Sequence, residues 1–159
     1  MNIKSPDVKT DIENALSQAG VNDVSVAQDR DKGVITLSGN VLTQEDKQKA
    51  DYVTKSVSGA AVVSNQIGVR PEGFENEAKS IDTNIDAAIA REFETALTAK
   101  NFDADVKYTV NNGVLTLNGD VNSQNKRHDV EKLAASIANV QQVVNQLQVK
   151  EQRATSTTT

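Results

Sequence analysis

The sequence has no cysteine and no tryptophan, and it has a single histidine in 159 residues. The absence of cysteine excludes disulfide scaffolds, thiol catalysis and zinc sites that use cysteine. Aromatic residues make up only 3% of the chain, which disfavours base-stacking surfaces for single-stranded nucleic acid. No apolar run approaches the roughly 20 residues of a membrane-spanning helix.

An excess of basic residues is also missing, because the formal net charge is −5. This balance disfavours nucleic-acid binding driven by phosphate neutralisation. The first residues lack the charged and then apolar layout of a signal peptide. The sequence therefore leaves a cytoplasmic protein and a mature exported form as alternatives.

Valine dominates the apolar residues that are present, and Val, Ile, Leu and Phe together form about a quarter of the chain. This fraction exceeds the level of roughly one fifth below which disorder is expected. A composition rich in valine and poor in aromatics favours short, half-buried strands with helices packed against them.

The chain contains an internal duplication. Residues 32–70 align with residues 112–150 without a gap, and 12 of the 39 positions are identical. Chance would give roughly two or three identities at typical residue usage. We therefore predict two similar domains at residues 5–70 and 81–150, a linker at 71–80 and a disordered tail at 151–159.

Each unit has the same order of predicted elements: helix, strand, strand, helix and strand. A turn at Gly33 or Gly113 precedes a strand with alternating apolar residues, and Thr43 and Ser123 are predicted N-caps of the following helix. The helix between the second and third strands favours a parallel crossover. The predicted fold is α+β, with a three-stranded mixed sheet and both helices on one face.

Gly39 and Gly119 interrupt the apolar row of the second strand in each unit. A glycine in a strand indicates a bulge or a close backbone approach, and we expect a helix to cross the sheet there. Asn65 and Asn145 occupy equivalent positions in the last strand, where we expect a side-chain bond to the backbone.

This pattern resembles the BON family, named for bacterial osmotically inducible and nodulation proteins. The resemblance rests on residues 33–41 and 113–121, with glycine, alternating apolar residues, glycine and valine, and on residues 63–67 and 143–147 of the closing strand. The motif residues that define the fold are Gly33, Gly39, Asn65, Gly113, Gly119 and Asn145.

The resemblance implies a non-enzymatic protein of the bacterial envelope, periplasmic and active in osmotic or envelope stress. Phospholipid surfaces or envelope proteins are the partners that it implies, without a cofactor. One alternative is a soluble protein-interaction or chaperone-like module that never contacts lipid. Another is a cytoplasmic potassium sensor, as in one branch of the family. Nothing in the sequence indicates an oligomeric state.

Lys126, Arg127 and Lys132 form the most basic local cluster and are the candidate lipid-binding residues. Each cation near an anionic membrane contributes about 1 kcal/mol, and this contribution falls with salt. The net charge of −5 opposes such binding, and a solvated helix face is the alternative interpretation.

A candidate interaction face is formed by Val34, Thr36, Val114 and Thr116, which alternate with the predicted core residues. Since both helices are expected on the other face, this surface must stay in water or be covered by the other sheet or by another chain.

No catalytic or metal site is predicted. His128 has no recognisable partner for nucleophilic catalysis, so it is interpreted as a solvated helix residue. The segment Asp29 to Gly33 resembles a calcium loop only in part, because it lacks the later acidic ligands and is better explained as a solvated turn.

Overall fold

The computed structural model describes residues 6–59 and 61–150, which form two compact units. We call the unit that ends at Asn84 the first domain and the unit that begins at Ile85 the second domain. The predicted domain start at residue 5 and the predicted tail at 151–159 lie outside the described residues.

The first domain contains a mixed sheet and two short helices. Its elements are α1 (Lys9–Gln18), β1 (Val24–Asp29), β2 (Val34–Val41), α2 (Gln44–Ser58), β3 (Val62–Asn65) and β4 (Gly68–Val69). The central strand β2 pairs antiparallel with β1 and parallel with β3 and β4. The last strand, predicted to be continuous over residues 62–70, is interrupted between Asn65 and Gly68.

A long helix, α3 (Glu75–Ala99), follows and includes residues 75–80 of the predicted linker. The remaining elements are β5 (Lys107–Asn111), β6 (Val114–Asn118), β7 (Asp120–Val121), α4 (Gln124–Ala135), β8 (Gln142–Asn145) and β9 (Gln148–Val149). Strand β6 pairs antiparallel with β5 and parallel with β8, while β7 pairs parallel with β9. The predicted α+β fold class is confirmed.

Strand alternation explains where each core lies. In the first domain the inward residues of β2 join α1 and α2 in one buried cluster, which includes Ile12, Leu16, Ile35, Leu37, Val41 and Ala50. In the second domain the corresponding cluster includes Phe93, Leu97, Leu115, Leu117, Val121 and Val130. Full burial of each large apolar side chain stabilises the fold by roughly 1.5–3 kcal/mol relative to leaving it exposed. Both helices of each domain therefore pack on the same face of the sheet.

The predicted caps of the second helix in each domain are confirmed. The Thr43 hydroxyl accepts a hydrogen bond from Asp46 N at 3.1 Å, and the Ser123 hydroxyl accepts one from Lys126 N at 3.0 Å. These bonds satisfy backbone donors that the helix itself leaves unpaired.

The glycines inside the second strand make the predicted close approach, but not to a helix. Gly39 and Gly119 have φ of 113° and 123°, and a Cβ at either position would collide with the carbonyl oxygen of Asp23 or Asp105. These carbonyls belong to the segment that enters β1 or β5. The expectation of a crossing helix is therefore wrong, because the neighbour is backbone on the paired strand's side.

Among the described helices, none is both long and apolar enough to cross a membrane, and this includes the 25-residue α3.

Candidate functional site

The motif asparagine of the first domain bonds to backbone at the break in the last strand. Asn65 Oδ1 accepts from Ile67 N at 3.3 Å, and Asn65 Nδ2 donates to Lys47 O at 3.0 Å. One side chain thereby serves a backbone donor after β3 and a backbone acceptor in α2. This geometry gives Asn65 a structural task that ties α2 to the sheet.

The equivalent asparagine of the second domain has a different partner on the helix. Asn145 Oδ1 accepts from Leu147 N at 3.0 Å, whereas Nδ2 donates to Glu131 Oε1 at 2.8 Å. Arg127 lies beside it, with Nε donating to Leu147 O at 2.9 Å and Nη2 to Asn145 O at 3.3 Å. The guanidinium of Arg127 is therefore occupied by the protein's own carbonyls.

Lys126, the second candidate lipid-binding cation, is also engaged within the domain. Its Nζ donates to Asp105 Oδ2 at 2.9 Å and lies 5.4 Å from the centroid of the Phe102 ring. Its side chain is only 17% exposed. The cation is attracted both by the carboxylate and by the ring face, so Lys126 is positioned by two contacts.

Lys132, the third candidate, lines a groove with a volume of about 400 Å³ on the second domain. The groove is lined by Lys100, Phe102, Asp129, Lys132, Leu133 and Ser136. Phe102 and Leu133 are half-buried and the two lysines are exposed. The structure thus brings Lys132 together with Lys100 and Phe102. Lys126 and Arg127 do not line the groove, since their cations bond to Asp105 and to two backbone carbonyls.

Lys100 is the site residue that sequence reasoning missed. It follows the last residue of α3 and is far from the basic cluster in the chain. Only the packing of α4 against the end of α3 brings its side chain to the same groove. The internal duplication gave a partial indication of a site at Lys100, because the first domain has a small residue at the equivalent position.

The equivalent groove in the first domain is crossed by a lysine. Phe102 N bonds to Leu97 O just as Val21 N bonds to Leu16 O, so Lys100 corresponds to Ala19. Lys49, which corresponds to Asp129, donates from Nζ to Ala19 O at 3.4 Å. The side chain of Lys49 therefore extends across the position that stays open in the second domain.

Comparison with known proteins decides the family. A model of the BON domain matches residues 4–71 and again residues 81–151. The chain belongs to the BON domain family.

A relative from Escherichia coli (strain K12), osmotically-inducible protein Y, is 33% identical to this BON protein over 130 residues. The match covers 80% of this chain and 62% of the relative, so the chain spans less than two thirds of that protein's length.

Two solved structures of CdsD, a structural protein of the type III secretion system of Chlamydia trachomatis, are also similar. One is 21% identical with a TM-score of 0.34, covering 90% of this chain and 65% of CdsD. The other is 16% identical with a TM-score of 0.41, covering 92% and 93%. These scores are too low to carry an argument about function.

The predicted interaction face of the two BON domains is largely buried. Val34 is 6% exposed and Val114 is 1% exposed, while Thr36 and Thr116 are half-buried. The sequence predicted that this face is either exposed to water or covered. Exposure to water is wrong for Val34 and Val114. The role of the four residues in binding a partner stays a prediction.

The residues interpreted as solvated or turn-forming have ordinary surroundings. His128 is exposed on α4. In the calcium-like segment, Asp29 Oδ1 accepts from Asp31 N and Lys32 N, both at 3.1 Å, so this carboxylate caps its own turn. Within residues 6–59 and 61–150, no group of three or more His, Cys, Asp or Glu side chains is arranged to hold a metal ion.

Tyr108 of the second BON domain has a strongly shifted acidity. Partial burial, a hydrogen bond to Glu94 and the negative charge of that carboxylate raise the pKa of Tyr108 to about 12. Its hydroxyl donates to Glu94 Oε1 at 2.8 Å, with Ala90 O at 3.2 Å, and its ring meets Phe93 edge-on at 5.0 Å. These contacts favour the protonated phenol and hold the ring against the core of the second domain.

Proposed function

We propose that this chain is a non-enzymatic binding protein that acts in the bacterial periplasm during osmotic or envelope stress. The observation that carries the proposal is the tandem of two BON domains together with 33% identity to osmotically-inducible protein Y.

We further propose that the bound surface is anionic phospholipid and that the second BON domain contacts it. Lys100 and Lys132 are exposed on this domain, and in the described part of the chain neither ε-amino group has a hydrogen-bond or ion-pair partner. Two such cations contribute about 1 kcal/mol each near an anionic leaflet. Because the net charge is −5, this binding is expected to be weak and to fall steeply with salt.

Co-sedimentation with vesicles tests the lipid proposal. The protein is mixed at low salt with phosphatidylglycerol-containing vesicles and with neutral phosphatidylcholine vesicles. We expect binding to the anionic vesicles only, and loss of binding in the double variant Lys100→Glu/Lys132→Glu. The matched control Lys9→Glu/Lys107→Glu carries the same charge change at exposed lysines outside the groove. Absence of binding to either vesicle at low salt contradicts the lipid proposal.

Recognition of an envelope protein is a second candidate, favoured by exposed apolar side chains on the first BON domain. Tyr52 is 75% exposed and Leu42 is 57% exposed. Large side chains of this kind often anchor protein interfaces. Photo-crosslinking in intact cells from the exposed position 56, one helical turn after Tyr52, tests it when the native chain is compared with the variant Tyr52→Ser/Leu42→Ser. A crosslinked partner that is retained equally by this variant contradicts the assignment to these residues.

The compartment is tested separately by fractionating cells that express the protein from its native gene. We expect the protein in the periplasmic fraction. Recovery in the cytoplasmic fraction contradicts the proposed location and returns potassium sensing to consideration, which unequal melting temperatures in potassium and sodium salts would then support.

A further inference from the structure

The groove of the second BON domain combines an apolar floor with a charged rim. Its floor includes Phe102 and Leu133, both half-buried, and its rim includes Lys100 and Lys132, both exposed. Phe102 is held in place because Lys126 lies over its ring at 5.4 Å while bonded to Asp105. A pre-positioned apolar surface beside cations is suited to a ligand with an alkyl chain and an anionic head.

The charged residues at the rim indicate the charge of the ligand's head group. Lys100 and Lys132 supply two positive charges, and Asp129 supplies one negative charge to the same groove. The local balance of one positive charge matches a monoanion such as a carboxylate. A phosphate dianion would leave the groove with one net negative charge and would lose more hydration on binding, so the charge balance favours the monoanion.

The size of the groove favours a small ligand. Its volume of about 400 Å³ lies near the lower end of the range of roughly 300–1,000 Å³ that is typical of small-molecule sites. This space accommodates one alkyl chain better than the paired chains of an intact phospholipid.

The first BON domain provides a natural comparison, because different side chains occupy the positions of Lys100, Asp129 and Lys132. Lys49 extends across the equivalent groove to Ala19 O, Tyr52 replaces Lys132, and Asp46 replaces Lys126. The pair of rim lysines is therefore specific to the second domain and is not a by-product of the BON fold.

We propose that this groove binds a single-chain fatty carboxylate, with the head between Lys100 and Lys132 and the adjoining chain on Phe102 and Leu133. The proposal rests on the proposed function only in using the same two lysines, Lys100 and Lys132. It goes beyond that function because the ligand is one dissolved molecule rather than a membrane surface.

Isothermal titration of the full chain with laurate, below its micellar concentration, tests the proposal. We expect saturable binding of one laurate per chain. Dodecyltrimethylammonium, which has the same chain and a cationic head, is expected not to bind. Backbone amide shifts in a ¹⁵N NMR titration are expected at Lys100, Phe102 and Leu133, with none at Ala19 or Tyr52.

Variants separate the groove from general charge effects. We expect the Lys100→Glu/Lys132→Glu variant to bind laurate at least about tenfold more weakly, and the control Lys9→Glu/Lys107→Glu to bind as the native chain does. A smaller change, Leu133→Gln, tests the floor and is expected to weaken binding while circular dichroism stays native. Equal binding by all variants, or no saturable binding of laurate, overturns the proposal.

The vesicle experiment keeps this outcome distinct from the proposed function. Laurate binding without vesicle binding refutes membrane association and supports the groove. Vesicle binding without laurate binding refutes the fatty-carboxylate site and leaves membrane association supported.

Discussion

The two BON domains share the backbone geometry at their motif glycines and asparagines and differ in the side chains of their outer surfaces. Gly39 and Gly119 make the same close approach to a carbonyl, and Asn65 and Asn145 bond in the same way to the residue two positions later. The differences lie at Ala19 and Lys100, Lys49 and Asp129, and Tyr52 and Lys132. This contrast indicates that the two domains share one backbone fold while only the second carries lysines at positions 100 and 132 of its groove.

A second difference lies at the end of the last strand. In the first domain Arg70 is 8% exposed, its Nη1 donates to Asp82 Oδ2 at 2.6 Å, and its guanidinium packs over Gly68. In the second domain the equivalent Lys150 pairs with Asp120 at 3.3 Å with both side chains largely exposed. The equivalent position therefore holds a partly buried ion pair in one domain and a solvated pair in the other.

The largest effect is expected from alanine at the shared glycines. Gly39→Ala and Gly119→Ala each combine a positive φ with a collision against backbone, which cannot move as a flexible side chain can. We expect each to lower the free energy of unfolding by about 3 kcal/mol or more. Hydrogen exchange should show that each substitution exposes the amides of its own domain first.

Gly20→Ala is the matched control for the collision. Gly20 has φ of 83°, yet an added Cβ would have no neighbour within 4 Å. We expect a loss of only about 1 kcal/mol, from backbone strain alone. Equal losses at Gly20 and Gly39 would show that the close approach to Asp23 does not contribute.

These glycines also show how much the sequence determined. Alternation, turn residues and the duplication were sufficient to predict the strand order, the caps at Thr43 and Ser123 and a close approach at Gly39. These features depend on neighbours in the chain or in the paired strand. The identity of the approaching group could not be predicted, because it depends on the path of the segment before β1.

The candidate site was less predictable than the fold. Lys126, Arg127 and Lys132 are similar as sequence, but the structure directs Arg127 to two carbonyls and Lys126 to Asp105. Whether a long cationic side chain reaches water or an internal acceptor depends on packing several ångströms from its Cα. Lys100 was missed for the same reason, since only tertiary packing places it beside α4.

A smaller effect is expected from breaking the two terminal ion pairs. Arg70→Ala removes a largely buried guanidinium and leaves Asp82 without it, so we expect a loss of about 2 kcal/mol. Lys150→Ala breaks a solvated pair and should cost less than about 0.5 kcal/mol. Urea denaturation measures both. Similar losses would contradict the difference in burial that distinguishes the two strand ends.

Alkaline pH should lower the stability of the second domain through Tyr108. Its pKa is raised to about 12 in the fold, whereas an unfolded tyrosine titrates near 10. Between these values the unfolded state loses the proton while the folded state keeps it, so stability falls as pH rises from about 10 to 12.

Tyr108→Phe should reduce this fall, at the cost of the hydrogen bond to Glu94 at neutral pH. Unfolding by urea at pH 9 and pH 11 provides the comparison. An unchanged pH dependence in Tyr108→Phe would show that other groups cause it.

The smallest effect on stability is expected from transferring the charged side chains of the groove to the first domain. This transfer is also the sharpest test of the comparison. The triple variant Ala19→Lys/Lys49→Asp/Tyr52→Lys gives the first domain the rim charges of the second. Lys49 and Tyr52 are exposed, and a lysine at the half-buried position 19 can extend its charge into water, so we expect stability to change by roughly 0.5 kcal/mol or less. In a background of Lys100→Glu/Lys132→Glu, it should restore part of the laurate binding. We expect incomplete recovery because Val21 supplies a smaller floor than Phe102.

Lys49→Asp alone removes the crossing side chain without adding a cation and should restore nothing. If the triple variant is folded but does not bind, the rim charges are not what distinguishes the two domains.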